Sequence, residues 1–432
     1  MKCKRLKGTK ENLQQINEEL GLRGKMEIRS VQEAVEEILQ AVRARGDEAV
    51  LEYTEKFDHV LLSKEDLRVS SDEINEAQKK ISKDLSKTMK RAASNIYSFH
   101  KKQLEEGFRM DAGNNSYVGM MIRPLDIAGI YIPGGTAPLP STVLMDVIPA
   151  KAAGVERIVL CTPPGTDGKV QAPILAAAAI AGVDEIYKIG GAQAIAAMAY
   201  GTGTVPRVDK ICGPGNIYVN TAKRLVFGQV DIDLFAGPSE VLILADETAN
   251  PEFAAADLLA QSEHDVLASS ILVTTSEKIA DEVNAELEKQ ALTLLRKEIL
   301  EKSIPNFCSI ITVPDLDTAV SFVNELAPEH LELCIRDPEN LLPRIRHAGA
   351  IFLGNYTPEP LGDYFAGPNH TLPTSGTARF FSPLNTSDFC KKISLLSYTK
   401  EALKACYKDV SVFARAEGLT GHARSAEIRF EK

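Results

Sequence analysis

No Cys-x-x-Cys pair occurs in this 432-residue chain. The seven cysteines, at 3, 161, 212, 308, 334, 390 and 406, are odd in number and widely scattered. That argues against a zinc ribbon or a disulfide framework and for reduced thiols in a cytoplasmic protein. A long basic run is also missing and the net charge is -10, so a nucleic-acid partner, which would need clustered Lys and Arg, is not expected. The most apolar windows, 172–183 and 191–200, are Ala-rich and interrupted by glycine, too short to span a membrane. The opening MKCKRLKGTKENLQQ has charge with no apolar run behind it, so no secretory signal is expected there. Neither G-x-G-x-x-G, nor G-x-x-x-x-G-K-[ST], nor H-E-x-x-H is found, so nucleotide or metal chemistry would need other motifs.

What is present suits a soluble globular protein, with 44% apolar and 25% charged residues and length for two or three domains. Residues 1–27 read as a polar arm. Val31, Ala34, Val35, Ile38 and Val42 predict a helix over 30–45, and Ser70 with Glu73 forms a capping box ahead of one or two long helices over 72–105. From about residue 117 short β runs alternate with Ala-rich helices. Strands are expected at 118–132, 157–161, 184–189 and 208–212, and helices at 142–153, 171–181, 192–200 and 216–227. AGVERI at 153–158 returns as AGVDEI at 181–186. In each copy a glycine able to end a helix leads into a buried strand, as in a repeating βαβ crossover. Further strands are expected at 240–245, 270–275, 308–313, 331–335 and 349–353, with helices at 251–263, 277–290, 315–326 and 338–347. The fold class is α/β, with parallel sheets covered by helices. Residues 354–383 are irregular and rich in glycine and proline, and so long an irregular segment is more often functional than idle. The tail, 384–432, returns to helix.

Four constellations could carry chemistry. In PEFAAADLLAQSEHD, Pro251 suits a first helical turn, and Phe253, Ala256, Leu259 and Ala260 form an apolar stripe. Gln261 and His264 are three apart, so an amide oxygen and an imidazole on one helix face could reach one cation, although a polar helix end looks the same. Glycines recur between strand and helix at Gly134-Gly135, Gly190-Gly191 and Gly213-Pro214-Gly215. Such turns place free N–H groups and helix N-termini at a sheet edge, where α/β proteins bind anions; ordinary βα turns are the alternative. Pro328 would set Glu329 and His330 beside unpaired N–H groups, favouring a charged carboxylate and a neutral imidazole, a base pair if it is more than an exposed Glu-His. Asp363 and His370 in the irregular segment, with Glu417 and His422 in the tail, add nitrogen and oxygen donors that suit a divalent metal, zinc first, without thiolates. His59, His100 and His347 read as surface or helix-face residues.

Taken together, YIPGG, GGAQAIAA, GPGN, LFAGPSE, QSEHD, LAPEHLEL, LGDYFAGPNHTLPT and EGLTGHARS, in that order from about residue 25 to 430, resemble the signature blocks of the histidinol dehydrogenase family. The resemblance implies a zinc-dependent, NAD-linked oxidation of L-histidinol to L-histidine through the aldehyde. By motif, Gln261, His264, Asp363 and His422 match zinc ligands that also meet the substrate. Glu329 and His330 match the acid/base pair, His330 touching substrate as well, while Ser239, His370 and Glu417 match further substrate contacts. Tyr131, Gln193 and Asn216 match NAD contacts. The resemblance also implies two incomplete Rossmann-like domains, one inserted in the other: an N-terminal arm (1–27), an outer domain (28–128 and 238–383), an inserted NAD-binding domain (129–237) and a tail (384–432). That tail would complete the partner's site in a homodimer. A zinc and NAD enzyme for another small polar alcohol, a zinc hydrolase and a non-catalytic binding protein are the alternatives.

Overall fold

The computed structural model describes residues 2–9, 11–21, 28–134, 138–235 and 237–431. Gly135 of the YIPGG turn, Ala236 of LFAGPSE and residues 22–27 of the arm lie outside the described residues. In chain order, β1 (Lys4–Lys7) and α1 (Leu13–Gly21) precede the helices α2 (Ile28–Arg45), α3 (Asp47–Asp58), α4 (Ser71–Lys80) and α5 (Lys83–Lys101). The strands β2 (Phe108–Gly113) and β3 (Ser116–Pro124) follow. A first alternation runs β4 (Ile127–Tyr131), α6 (Pro140–Ala153), β5 (Arg157–Thr162), α7 (Ala172–Ala181), β6 (Glu185–Lys188), α8 (Gly191–Tyr200), β7 (Lys210–Cys212), α9 (Ile217–Val226) and β8 (Asp231–Ile232). The second runs β9 (Glu240–Ala245), α10 (Pro251–Ser262), β10 (Ser269–Thr274), α11 (Glu277–Ala291), α12 (Lys297–Phe307), β11 (Cys308–Thr312), α13 (Leu316–Leu326), β12 (His330–Cys334), α14 (Pro338–Leu341), β13 (Ala350–Leu353) and the single turn α15 (Glu359–Leu361). The chain closes with β14 (Cys390–Ser397), α16 (Lys400–Ala416) and α17 (Thr420–Glu427). No described helix is long and apolar enough to cross a membrane.

The chain divides into two compact units, Met1–Gln103 with Asp126–Phe389, and Leu104–Leu125 with Cys390–Lys432. The first unit holds two parallel sheets, in the orders β6-β5-β4-β7-β8 and β1-β11-β10-β9-β12-β13. In each, the first strand of its alternation, β4 or β9, has its immediate successor on one side and a later strand on the other, a topological switch point. The echo seen in the sequence is a repeated helix stop. Gly154 (φ 94) and Gly182 (φ 82) end α6 and α7 in the left-handed conformation, which glycine adopts without steric cost, and β5 and β6 follow. Ser70 caps α4 as expected: its Oγ accepts the Glu73 N–H at 3.2 Å, and the Glu73 carboxylate accepts the Ser70 N–H at 2.9 Å.

Several expectations are corrected. The first 27 residues are not simply an arm, because β1 pairs in parallel with β11 and extends the six-stranded sheet. Cys3 and Cys308 face one another across that pairing, with Cα atoms 5.1 Å apart, and form a disulfide, so two of the seven thiols expected to be reduced are joined. α2 and α3 bury Val35, Ile38, Val42, Val50 and Tyr53 in one core with the five-stranded sheet, whereas they were assigned to the outer domain. The single strand expected over 118–132 is two strands in different sheets. Pro124 has no N–H to continue a ladder, and just beyond it the N–H groups of Asp126 and Ile127 turn to the Asp209 carboxylate. The helix expected over 338–347 stops at Leu341, and α12 was not foreseen. In α10 the buried face is Ala254, Ala255, Leu258, Leu259, Gln261 and Ser262, while Phe253 and Ala256 are exposed. In so Ala-rich a helix, small apolar residues occupy both faces and the phase of the stripe is poorly marked.

The second unit is a three-stranded antiparallel sheet, β14-β3-β2, with the pair α16 and α17. The tail is therefore not wholly helical. Asn114 (φ 49) and Asn115 (φ 56) make the two-residue turn between β2 and β3, in the positive-φ conformation that matches strand twist and that asparagine tolerates. Arg415 and Glu427 tie the two helices at 2.9 Å, over a small core of Ala414, Ala423 and Ala426. Val412, Phe413 and Leu396 remain exposed.

Candidate active site

Within the first unit, a cavity of about 180 Å³ is lined from both sheets. Ser141 and Thr142 at the start of α6, with Pro214 after β7, come from the C-terminal edge of the five-stranded sheet. Ser239 ahead of β9 and His330 at the start of β12 come from the N-terminal edge of the six-stranded one. α10 follows β9 and runs back toward that N-terminal edge, which is why its last turn brings Gln261 and His264 to the site. Side chains alternate along β12, so His330 and Glu332 share the sheet face that α10 covers, while Leu331 and Leu333 enter the core on the other side. A larger cavity of about 510 Å³ shares Asp363 with this one but offers no other ionisable side chain, so the chemistry belongs to the smaller.

His264, Glu359 and Asp363 present ligand atoms that all lie within 4.8 Å of one another. Asp363 reaches them from a wide helical turn, Gly362–Ala366, directly after α15. Gln261 is fully buried. With its amide nitrogen toward Glu359 it donates to both carboxylate oxygens at 3.1 Å, which leaves the amide oxygen as a metal donor. Two carboxylates, an imidazole and an amide fit a divalent cation without thiolates. His330 stands beside the cluster: Nδ1 is 3.1 Å from the Glu240 carbonyl, so it carries the proton and donates. Nε2 is 3.5 Å from Asp363 Oδ1 and has no hydrogen-bond partner among the described residues. The Glu329 carboxylate accepts the Glu240 N–H at 2.8 Å. His370 donates through Nδ1 to the Asp363 carbonyl at 3.0 Å, and Ser239 lines the cavity.

The electrostatics reverse one expectation. Glu329 was to be charged and His330 neutral beside free N–H groups. Burial instead raises the Glu329 carboxyl to about 8; His330 opposes that rise, and Glu240 adds to it. For His330 burial favours the neutral ring, but Glu359, Glu329 and Asp363 outweigh it and hold the imidazole well above its ordinary value. Burial likewise lifts Glu359 to about 7, despite His330. Asp363 is lowered although burial opposes this, because His330, His370 and His264 surround it. His264 is held low by the protein around its ring, although Asp363 pulls the other way and the residue as a whole is exposed. The reversal has two causes: burial drives the Glu329 carboxyl up, and the acids around His330 hold its imidazole protonated, and such a nest of negative charge can receive a cation.

At the C-terminal edge of the five-stranded sheet, the Tyr131 hydroxyl accepts the Gly191 N–H at 3.1 Å. Gln193, in the first turn of α8, is buried and both its amide atoms lack partners among the described residues. Asn216 caps α9, its Oδ1 accepting from Tyr218 and Val219, so its amide nitrogen is what remains for a ligand. Gly213 (φ 119) has to be glycine, since a Cβ there would sit 2.0 Å from the Tyr131 carbonyl. The buried Lys223 donates to the Gly213 and Leu234 carbonyls at 3.0 and 3.1 Å and pairs with Asp233. Orphaned amide atoms, two βα turns and a glycine cradle suit the pyrophosphate and amide groups of a dinucleotide.

The histidinol dehydrogenase family model matches residues 22–430. The chain belongs to the histidinol dehydrogenase family. It is 52% identical over 94% of its length to histidinol dehydrogenase of Caldanaerobacter subterraneus subsp. tengcongensis, also covering 94% of that protein. It is 51% identical to the Streptococcus mutans enzyme, over 99% of this chain and 100% of that one. The crystal structure of histidinol dehydrogenase from Elizabethkingia anophelis superposes with a TM-score of 0.93 at 40% identity, covering 99% of this chain and 98% of that one. Like the rest of its family, the chain is an oxidoreductase.

Gln261, His264, Glu329, His330, Asp363, His370 and Ser239 are brought together in this histidinol dehydrogenase fold. Glu417, the C-cap of α16, and His422, in the first turn of α17, belong to the second unit, and both are exposed. Glu359 was missed. It lies four residues before Asp363 in a Pro-Glu-Pro-Leu-Gly-Asp run with no helical periodicity to put the two acids on one face, and the turn that does so forms only in the folded chain. Glu332 was also missed, because an acid at the third position of a strand otherwise reads as solvent-facing. It accepts the Glu359 N–H at 2.9 Å, and the negative charge of Asp257 acts on it. His100, expected on a surface, is buried against Gln103.

Proposed function

We propose that the protein oxidises L-histidinol to L-histidine through L-histidinaldehyde, the closing steps of histidine biosynthesis, using Zn²⁺ and NAD⁺. The observation that carries this reading is the cation-ready cluster of His264, Glu359, Asp363 and Gln261 with the unpartnered Nε2 of His330 at its edge. Gln261, His264 and Asp363 would hold the metal, with Glu359 orienting the Gln261 amide and able to serve as a further ligand. Zinc held there would supply a template for the substrate's amine and imidazole, so that these ligand residues would set where the alcohol carbon lies. Tyr131, Gln193 and Asn216 in the 129–237 region would hold NAD⁺, which when bound would supply the hydride acceptor for both oxidations. His330 takes the hydroxyl proton at Nε2, because Nδ1–H is committed to the Glu240 carbonyl. A cation beside Asp363 and Glu359 would offset the charge that otherwise keeps His330 protonated. In the second oxidation Glu329, as carboxylate, deprotonates water, whose oxygen adds to the aldehyde; loss of hydride from that hydrate gives the acid. Enclosure between two sheet edges limits escape of the aldehyde.

The tail completes a partner's site in a homodimer in this reading. Its support is the exposure of Glu417 and His422 in a small unit with little core of its own and uncovered Val412 and Phe413. A cytoplasmic location accords with a biosynthetic role and five free cysteines, while the Cys3–Cys308 disulfide is the one feature against it. Purified protein with Zn²⁺, NAD⁺ and L-histidinol should form two NADH per substrate. Turnover of other amino alcohols but not histidinol, or zinc-dependent hydrolysis without NADH, would replace the proposal.

A further inference from the structure

In a parallel sheet of this strand order, the adenosine half of a dinucleotide lies over the strands on the β5 and β6 side. A carboxylate near the end of the second strand there takes the ribose hydroxyls. β5 supplies none. It ends Cys161-Thr162-Pro163-Pro164, with no acid and with two residues that have no N–H. A carboxylate reaches the same place from outside the sheet. Asp58 is the last residue of α3, and the chain turns away behind it through His59 in the left-handed conformation (φ 57). Its Oδ1 would lie 3.3 Å from a Cβ on Gly190, the same Cβ that would meet Pro163 at 2.6 Å, so Asp58 stands over the ends of β5 and β6. It is close enough to the Tyr131 hydroxyl to help raise its pKa, after burial as the main cause. Asp58 Oδ2 is buried with no hydrogen-bond partner among the described residues. Gln193, whose amide lies against Gly191 one position beyond Gly190, is the second unpartnered polar group at this turn.

Building on the dinucleotide assignment above, we propose that Asp58 binds the adenosine ribose hydroxyls and rejects a 2′-phosphate, setting the preference for NAD⁺ over NADP⁺. A carboxylate only accepts hydrogen bonds, and a ribose diol offers two O–H donors to it. An ionised 2′-phosphate offers no donor and brings like charge. Burial raises the Asp58 carboxyl to about 6, with His59 working against that rise, so above that pH it presents a charge that repels a phosphate. Gly190 keeps the approach open.

Calorimetric titration of the zinc-loaded protein with NAD⁺ and with NADP⁺ tests this. Wild type should bind NAD⁺ the more tightly. Asp58→Asn, nearly isosteric, should weaken NAD⁺ about tenfold while NADP⁺ holds or gains, so that the ratio of the two affinities collapses. Asp58→Glu, which keeps the charge, should keep NADP⁺ excluded, and gives a second reading should the amide variant fail to fold by thermal melting. An unchanged affinity ratio in folded Asp58→Asn, or NADP⁺ binding by Asp58→Glu as tight as NAD⁺, overturns the role of Asp58 while leaving the dinucleotide site standing. If wild type binds neither nucleotide, both assignments fall.

Discussion

A buried carboxylate is costly, and several within reach of one another are more so unless a cation arrives. Glu329, Glu332, Glu359 and Asp363 are all buried around His330, and the negative charge of Asp257 acts on Glu332. For the metal-free protein the sign of the pH effect follows from the raised members. Glu329 (to about 8) and Glu359 (to about 7) keep their protons when folded, whereas the unfolded chain releases them above about pH 4.5. The folded state then holds more protons, so stability is greatest below the unfolded pKa and is lost as pH rises toward 8. Melting of apo protein should occur at a lower temperature at about pH 8 than at about pH 5, and Zn²⁺ should reverse the loss; an apo melting point that rises over that range contradicts the cluster's charge state. His264→Asn and Asp363→Asn should each lower zinc content together with activity, by tenfold or more, and Glu359→Gln by about tenfold, read by metal analysis. Full occupancy in all three would remove the metal assignment. The neighbouring pair should separate by step: loss of His330 hinders alcohol oxidation, whereas Glu329→Gln binds histidinol yet oxidises histidinaldehyde poorly. Wild-type aldehyde turnover by Glu329→Gln would end that division of labour.

Single elements place these residues by close backbone approach. The segment before β12 turns at Ala327, in the left-handed region at φ 51, then Pro328 and Glu329 pair with the segment before β13. Gly349 and Ala350 donate to the carbonyls of Pro328 and Glu329 at 2.9 and 2.8 Å, and a Cβ on Gly349 would lie 2.6 Å from the Glu329 carbonyl oxygen. Gly349→Ala must therefore shift the backbone that carries Glu329. We expect a loss of about 1–3 kcal/mol in chemical denaturation and a larger fall in kcat than in histidinol affinity. Unchanged stability and kcat would mean that the β13 entry is more pliant than this spacing implies. α10 does the corresponding work for the metal, with Ser262 Oγ bonded to the Leu258 carbonyl and to Ser270 Oγ, each at 2.7 Å, so the turn holding Gln261 is anchored to β10.

At the scale of the whole molecule, the proposed homodimer with shared sites is tested through the second unit. The small second unit exposes Glu417, His422 and a row of apolar side chains. A His422→Ala chain and a Glu329→Gln, His330→Ala chain should each be nearly inactive alone. Mixed dimers should regain up to about a quarter to a half of wild-type activity if one intact site is assembled from two chains. No recovery in verified heterodimers would show that each tail serves its own subunit.

The sequence by itself determined the α/β class, the helix stops at Gly154 and Gly182 and the Ser70 cap, because these depend on side-chain periodicity and on local backbone sterics within a few residues. The QSEHD, APEH and GDYFAGPNH blocks were also legible, as residue types spaced along the chain. Tertiary structure decided the rest. It decided that α2 and α3 join the five-stranded sheet and β1 the six-stranded one, since each has an apolar or hydrogen-bonding face that several partners could satisfy. It decided that Glu359 and Glu332 belong to the site, because only folding closes an irregular turn over a buried strand. The protonation of Glu329 and His330 was decided there too: charge state depends on every carboxylate within a few ångströms, and that set is chosen by packing across hundreds of residues rather than by neighbours in sequence.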